Sequence, residues 1–214
     1  MRRFLALVAA VAVATGTVVL GSLLPTEGPA SARPSPLRGF VGNSIGDFAL
    51  NQSAPGAVTE VRDPLGSGER VLKMSVDNDD VYPVTPTHDP RASLLTPTRI
   101  RPGDGFWWRS KFLLPRSFPR SVPGWLVVLE GPYGPPFDST PPWHIEVTGR
   151  HIEWVRNSTY DWDVPWRMPL VRGRWIHVLM HCHFARHGFV EMWVNGHRVT
   201  FFRGDTYNPG HHRR

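Results

Sequence analysis

The sequence predicts an all-β fold, a jelly-roll sandwich of two antiparallel sheets. Three observations carry this. The run Trp175–Phe202 reads WIHVLMHCHF-ARHG-FVEMWV-NG-HRVTFF, and its first piece alternates throughout. Ile176, Val178, Met180, Cys182 and Phe184 fall on one face, and Trp175, His177, Leu179, His181 and His183 on the other. A period of two is a strand. Asn195-Gly196 between two apolar runs is a hairpin signal, because a type I′ turn needs φ > 0 at both central positions. Finally, no helix-period window of useful length follows the first 32 residues. Short runs punctuated by Pro and Gly, 22 and 20 of them in the chain, point to a sandwich instead.

The elements follow in order. Arg2-Arg3 precede an apolar stretch from Phe4 to Leu24, and Ala30-Ser31-Ala32 fits the small-residue cleavage rule. Residues 1–32 therefore read as a secretory signal peptide. A retained membrane anchor is the alternative, since the run is near spanning length. Residues 33–40 form a Pro-rich linker, and residues 41–203 hold the domain. Ala57–Arg62 and Arg70–Val76 read as strands around the turn Asp63-Pro64-Leu65-Gly66. Ala92–Leu95 is a short strand and Gly105–Leu114 a longer one. Trp125–Glu130, Trp143–Thr148 and Ile152–Arg156 follow, the last two joined tightly through Thr148-Gly149-Arg150. The three strands of Trp175–Phe202 complete the set. Residues 204–214 read as a disordered tail.

Composition narrows the partners. The ~180 residues after the leader suit one domain with a real core. The formal charge is +6; removing Arg2, Arg3 and Glu27 leaves +5. Of 24 basic residues only Lys73 and Lys111 are lysine, a skew that suggests a GC-rich bacterial genome. The basic residues are scattered and no nucleic-acid motif appears, so no nucleic acid is expected. A secreted, basic chain with nine Trp fits an acidic polysaccharide better. A monomer is expected, with no membrane contact once the leader is cleaved. Cys182 is the sole cysteine, so no intrachain disulfide can form. Its place on the apolar face reads as a buried small hydrophobe.

Alternation also sorts the residues that can carry chemistry. In GFWWRSKFLL, Phe106, Trp108, Phe112 and Leu114 share one face, and Trp107, Arg109 and Lys111 the other. An indole beside two cations makes a platform for a charged sugar, or a solvated face with snorkelling cations. His181-x-His183 places two imidazoles roughly 7 Å apart on one strand face, with His177 further along. No Asp or Glu stands at a companion spacing, so no metal or cofactor is expected. A proton carrier or polar contact is the better role for these rings. Glu130 enters the rigid loop Gly131-Pro132-Tyr133-Gly134-Pro135-Pro136, placing a carboxylate and a phenol together. Glu146 lies beside His144 and reads as a surface carboxylate. Paired with Glu130 it is the alternative of a glycoside hydrolase.

The segment Gly173–Phe202 resembles the heparin-lyase-I-like and glucuronan-lyase-like group of jelly-roll polysaccharide lyases. These carry a Gly-x-Trp, an alternating strand with His, and a Gly-Phe-Val-Glu-x-Trp-Val-Asn-Gly hairpin. Arg91-Ala92-Ser93, Trp107-Trp108, Leu114-Pro115, Phe118-Pro119, Trp125 and Pro141-Pro142-x-His144-Ile145 are similar in order and spacing. Asp161-Trp162-Asp163-Val164-Pro165-Trp166 resembles a subgroup of secreted actinobacterial members. The resemblance covers roughly residues 85–210 and implies a concanavalin-like jelly roll.

It also implies β-elimination on a uronic-acid polysaccharide. A cation or donor neutralises the C5 carboxylate, a base takes the C5 proton, and an acid protonates the O4 leaving oxygen. By this resemblance Arg91 or Arg109 neutralises, His144 or His181 is the base, and Tyr133 is the acid. Trp107, Lys111, Glu130, Arg156, Trp175, His183 and Trp193 make up the expected substrate-binding set. The chain departs from the group in two places. Members often carry Gln and then His where this chain has Glu130 and Tyr133. They usually finish on a strand with Tyr-Arg or Tyr-Lys, for which Tyr207 is no obvious substitute. The expectation is a relative lacking one strand, with non-catalytic carbohydrate binding as the alternative to lysis.

Overall fold

The computed structural model describes residues 7–12, 42–77, 90–97, 100–131, 141–157 and 162–206. Its strands are β1 (Leu7–Ala12), β2 (Leu50–Ser53), β3 (Val58–Arg62), β4 (Arg70–Val76), β5 (Ala92–Leu95), β6 (Gly105–Leu113) and β7 (Val122–Glu130). They continue as β8 (Trp143–Gly149), β9 (His151–Asn157), β10 (Trp162–Pro169), β11 (Trp175–His183), β12 (Gly188–Val194) and β13 (His197–Gly204). One 3₁₀ turn, Ile45–Asp47, is the only helical element among the described residues. Seven strands form a large sheet in the order β13-β12-β11-β6-β1-β4-β3. Four form a small sheet, β10-β9-β8-β7, and β2 pairs with β5 alone. Every described pairing is antiparallel. The predicted all-β sandwich is the observed architecture.

Alternation builds the core. On the large sheet, Phe106 and Phe112 of β6, Ile176, Val178, Met180 and Cys182 of β11, and Val190 and Met192 of β12 point inward and are buried. They meet Trp143, Ile145 and Val147 of β8 and Ile152 and Trp154 of β9. Trp108 and Trp143 touch across the layers, with ring centroids 5.6 Å apart. Cys182 is fully buried here, as its place in the alternation requires, and burial pushes its thiol up to about 12. The β12–β13 connection is the turn the sequence requires: φ is 50° at Asn195 and 83° at Gly196. The Asn195 side chain accepts the His177 N–H at 3.0 Å.

Several elements differ from the sequence reading. β1 lies inside the expected leader and pairs with both β4 and β6. β2 is short and polar, which hides it from a search for apolar alternation. β10 contains Pro165 and Pro169 and a register shift between Asp163 and Trp166. It is an edge strand, where proline and bulges are tolerated. β13 runs on to Gly204, and Thr206 beyond it is buried. The Thr206 hydroxyl donates to the His183 carbonyl at 2.6 Å and accepts the Ala185 N–H at 2.9 Å. The start of the expected tail is therefore tied to the large sheet. The linker at 33–40, the cleavage site, Tyr133 and residues 207–214 lie outside the described residues.

Candidate active site on the small sheet

The two sheets each have an outer face, and the expected site residues divide between them. On β8, Trp143, Ile145 and Val147 point inward, so His144 and Glu146 point outward. Register places Glu130 of β7 opposite His144, and Glu153 of β9 opposite Glu146. Asn157 shares this face at the end of β9, opposite Trp162 of β10.

An outward position is usually wet, yet His144, Glu146 and Asn157 are 4%, 8% and 3% exposed. The reading of Glu146 as a surface carboxylate is therefore corrected. Alternation shows which side of its own sheet a residue takes, not what covers that side. Three buried polar side chains must satisfy one another, and they do so except at Asn157 Oδ1, which has no hydrogen-bond partner. His144 Nε2 lies 3.0 Å from Glu146 Oε2, and His144 Nδ1 lies 3.4 Å from Asn157 Nδ2. Asn157 Nδ2 also donates to the Pro141 carbonyl at 2.7 Å, and its backbone N–H donates to the Pro142 carbonyl at 2.8 Å. With an amide N–H on Nδ1, the network assigns the ring proton to Nε2, which donates to Glu146. The Nδ1 lone pair then faces the longest and weakest contact of the network.

Two carboxylates of neighbouring strands meet on this face. Glu146 and Glu153 stand opposite one another, an arrangement that costs energy unless each has a partner. Glu146 has His144, and Arg167 Nη1 approaches Glu153 at 4.0 Å. Two indoles flank the network. Trp162 packs its ring at 77° to His144, 6.1 Å between centroids, and still leaves 65% of its surface open. Trp125 sits opposite Thr148 on the same face and is 66% exposed. An oriented imidazole between two open aromatic surfaces can move a proton on a bound sugar chain.

The other expected residues lie elsewhere. Trp107, Arg109, Lys111, His181, His183 and Trp193 share the outer face of the large sheet, the opposite side of the sandwich from His144. There Trp107 stacks on His181 at 4.1 Å and 2°, and Lys111 bridges Glu69 at 2.6 Å. Burial keeps His181 below the ordinary imidazole value although Glu191 pulls it up. His177 is lowered by burial and by the charges of Lys111 and Arg109. Trp175 is committed to structure: its indole N–H donates to buried Asp63 at 3.1 Å, and Lys111 lies over its ring. Arg156 points inward, bonded to Asp163 through Nε at 2.9 Å and stacked 3.8 Å over Phe202. Arg91 is on the β2–β5 sheet side, where it donates to Gln52 at 3.3 Å. So His144 and Glu130 stay together, and Arg109 and His181 stay together, but the two pairs are on different faces. Asn157 and Trp162 were not singled out as site residues from the sequence, and Glu146 only as half of the glycoside-hydrolase alternative, although the alternation of β8 and β9 put Asn157 and Glu146 on the face of His144.

Among the described residues, no three His, Cys, Asp or Glu side chains gather as a metal ion would require. None of the curated proteins or solved structures is significantly similar to this chain. Residues 41–210, which hold every strand but β1 and the whole His144 network, match the family model described as polysaccharide lyase. With a sandwich fold, a held imidazole beside open indoles, and that match over most of its length, the chain belongs to the polysaccharide lyase family.

Proposed function

We propose that this protein is a secreted lyase that cleaves a uronic-acid polysaccharide by β-elimination at the outer face of the small sheet. The observation that carries the reading is the buried His144–Glu146–Asn157 network flanked by Trp162 and Trp125. A base must be held still and kept unprotonated on the side facing substrate. The hydrogen bond from Nε2 to Glu146 leaves the Nδ1 lone pair toward Asn157 and stabilises the imidazolium that forms. Substrate replaces the 3.4 Å contact from Asn157. The Asn157 amide is then the donor this face offers to the sugar carboxylate. The C5–H bond breaks, its proton goes to Nδ1, its electrons form the C4–C5 double bond, and the C4–O4 bond breaks. Tyr133 is the acid that the resemblance implies for O4. Export rests on Arg2-Arg3, the apolar stretch and Ala30-Ser31-Ala32.

The test is incubation with glucuronan, alginate and heparin, following the ultraviolet absorbance of unsaturated uronate ends. A rise with at least one polymer is expected. No rise with any of them at high protein concentration would sink the proposal. New reducing ends without that absorbance would instead indicate hydrolysis, for which Glu130 and Glu146 share the face as diagonal neighbours.

A further inference from the structure

The outer face of the large sheet holds a second cluster that the reaction does not use. Register sets Trp107, His181 and Phe201 in one cross-strand row with Glu191, and His183 and Phe189 in the next. The rings touch one another: Trp107 with His181 at 4.1 Å, Trp107 with Trp193 at 5.7 Å, His181 with Phe189 at 4.9 Å, and Phe189 with Phe201 at 6.2 Å. Despite these contacts Trp107 is 47% and Phe201 46% exposed. A connected aromatic surface left open to water marks a binding face.

Charge decides what it binds. Four cations stand around the rings on this face, Arg109, Lys111, Arg198 and Arg203, with Lys73 further out on β4. Lys111 is held by Glu69 and Arg198 by Glu191. Among the described residues, Arg109 and Arg203 have no carboxylate within salt-bridge distance. They occupy opposite corners of the ring cluster, Arg109 on β6 and Arg203 on β13, about 20 Å apart by strand spacing and rise. The imidazoles add little positive charge near neutrality, since burial holds His177 and His181 down. Open rings between two uncompensated cations suit a chain that alternates apolar sugar faces with carboxylates. An uncharged protein partner would leave both arginines unused.

We infer that the outer face of the large sheet is a second, non-catalytic binding surface for an anionic polysaccharide, on the opposite side of the sandwich from His144. It shares its polymer class with the proposed reaction but does not depend on it, because retention can be read without turnover. The experiment is affinity electrophoresis of the full chain carrying His144→Ala, in gels containing glucuronan, alginate or heparin, with dextran as the neutral control. The His144→Ala protein is expected to be retarded by an anionic gel and not by dextran. Trp107→Ala is expected to weaken retention about tenfold, from the usual worth of an aromatic contact. Arg109→Glu, at an exposed position that leaves folding intact, should weaken it at least as much and reduce its sensitivity to salt. Retention unchanged by both substitutions would overturn the inference. So would retention lost through Trp162→Ala alone, which would place all binding on the small sheet. Conversion of a dimer to a monomer by Trp107→Ala, with retention intact, would show a contact between copies and would equally overturn it.

Discussion

At the residue scale, the decisive contacts are those that fix an ionisable group. His144 is held at both ring nitrogens, so its loss should remove a general base, a role typically worth about 10²- to 10⁴-fold in rate. Glu146→Gln keeps the shape but removes the charge that stabilises the imidazolium, so turnover should fall while polymer retention stays. Steady-state assays on both variants read this out. Asp63 shows the same logic applied to structure. Burial works against its charged form, but hydrogen bonds from Ser67, Leu65 and Trp175 outweigh that and hold its carboxyl below the ordinary 3.8. Its contribution to stability is therefore complete above 3.8 and disappears as the pH falls through the folded value. Trp175→Phe removes one donor from a buried carboxylate and should cost about 1–3 kcal/mol. Urea unfolding at neutral pH measures this cost, and a series below pH 5 should show a flatter acid limb in Asp63→Asn. Trp175 was legible in the sequence as an outward aromatic, but its partner lies 112 residues away in the chain. No local pattern reports such a pairing.

At the element scale, strands with strict alternation were legible and the others were not. β11 and β12 read directly from the sequence, and the pairing of β12 with β13 starts from the Asn195-Gly196 turn. Gly196→Ala places a side chain at φ 83° and should cost about 1 kcal/mol, measurable by thermal or urea unfolding. β10 escaped because two prolines break its pattern, and only an edge position makes such a strand possible. β1 sets a sharper test. Cleavage after Ala32 would withdraw it and leave β4 and β6 each with an open edge, a template for pairing with other chains. N-terminal sequencing of exported protein should give Arg33 as the first residue. A mature protein that still begins before Leu7 would make β1 a permanent part of the large sheet.

At the scale of the whole molecule, alternation sorts each strand into inside and outside but does not say which outside faces substrate. The sequence places His144 and His181 alike, as outward imidazoles on apolar strands. Folding puts them on opposite sides of one core. Only the small sheet brings a carboxylate and an amide to its imidazole, whereas the large sheet brings other rings and cations. The outer face of the large sheet also makes stability depend on pH. His181 and His177 are held below the ordinary 6.5 in the folded state. The unfolded chain therefore takes up protons first as the medium acidifies. Stability should hold above about pH 6.5 and decline below it, and His181→Phe should lessen that decline in unfolding experiments between pH 7 and 5. The most direct measurement of where the chemistry sits is the rate of unsaturated uronate formation by His144→Ala and His181→Ala, each against the unsubstituted chain on the polymer it cleaves best. Loss of at least about 100-fold in His144→Ala, with His181→Ala still active, is the predicted result. Full activity in His144→Ala together with its loss in His181→Ala would contradict the account and move the site to the large sheet.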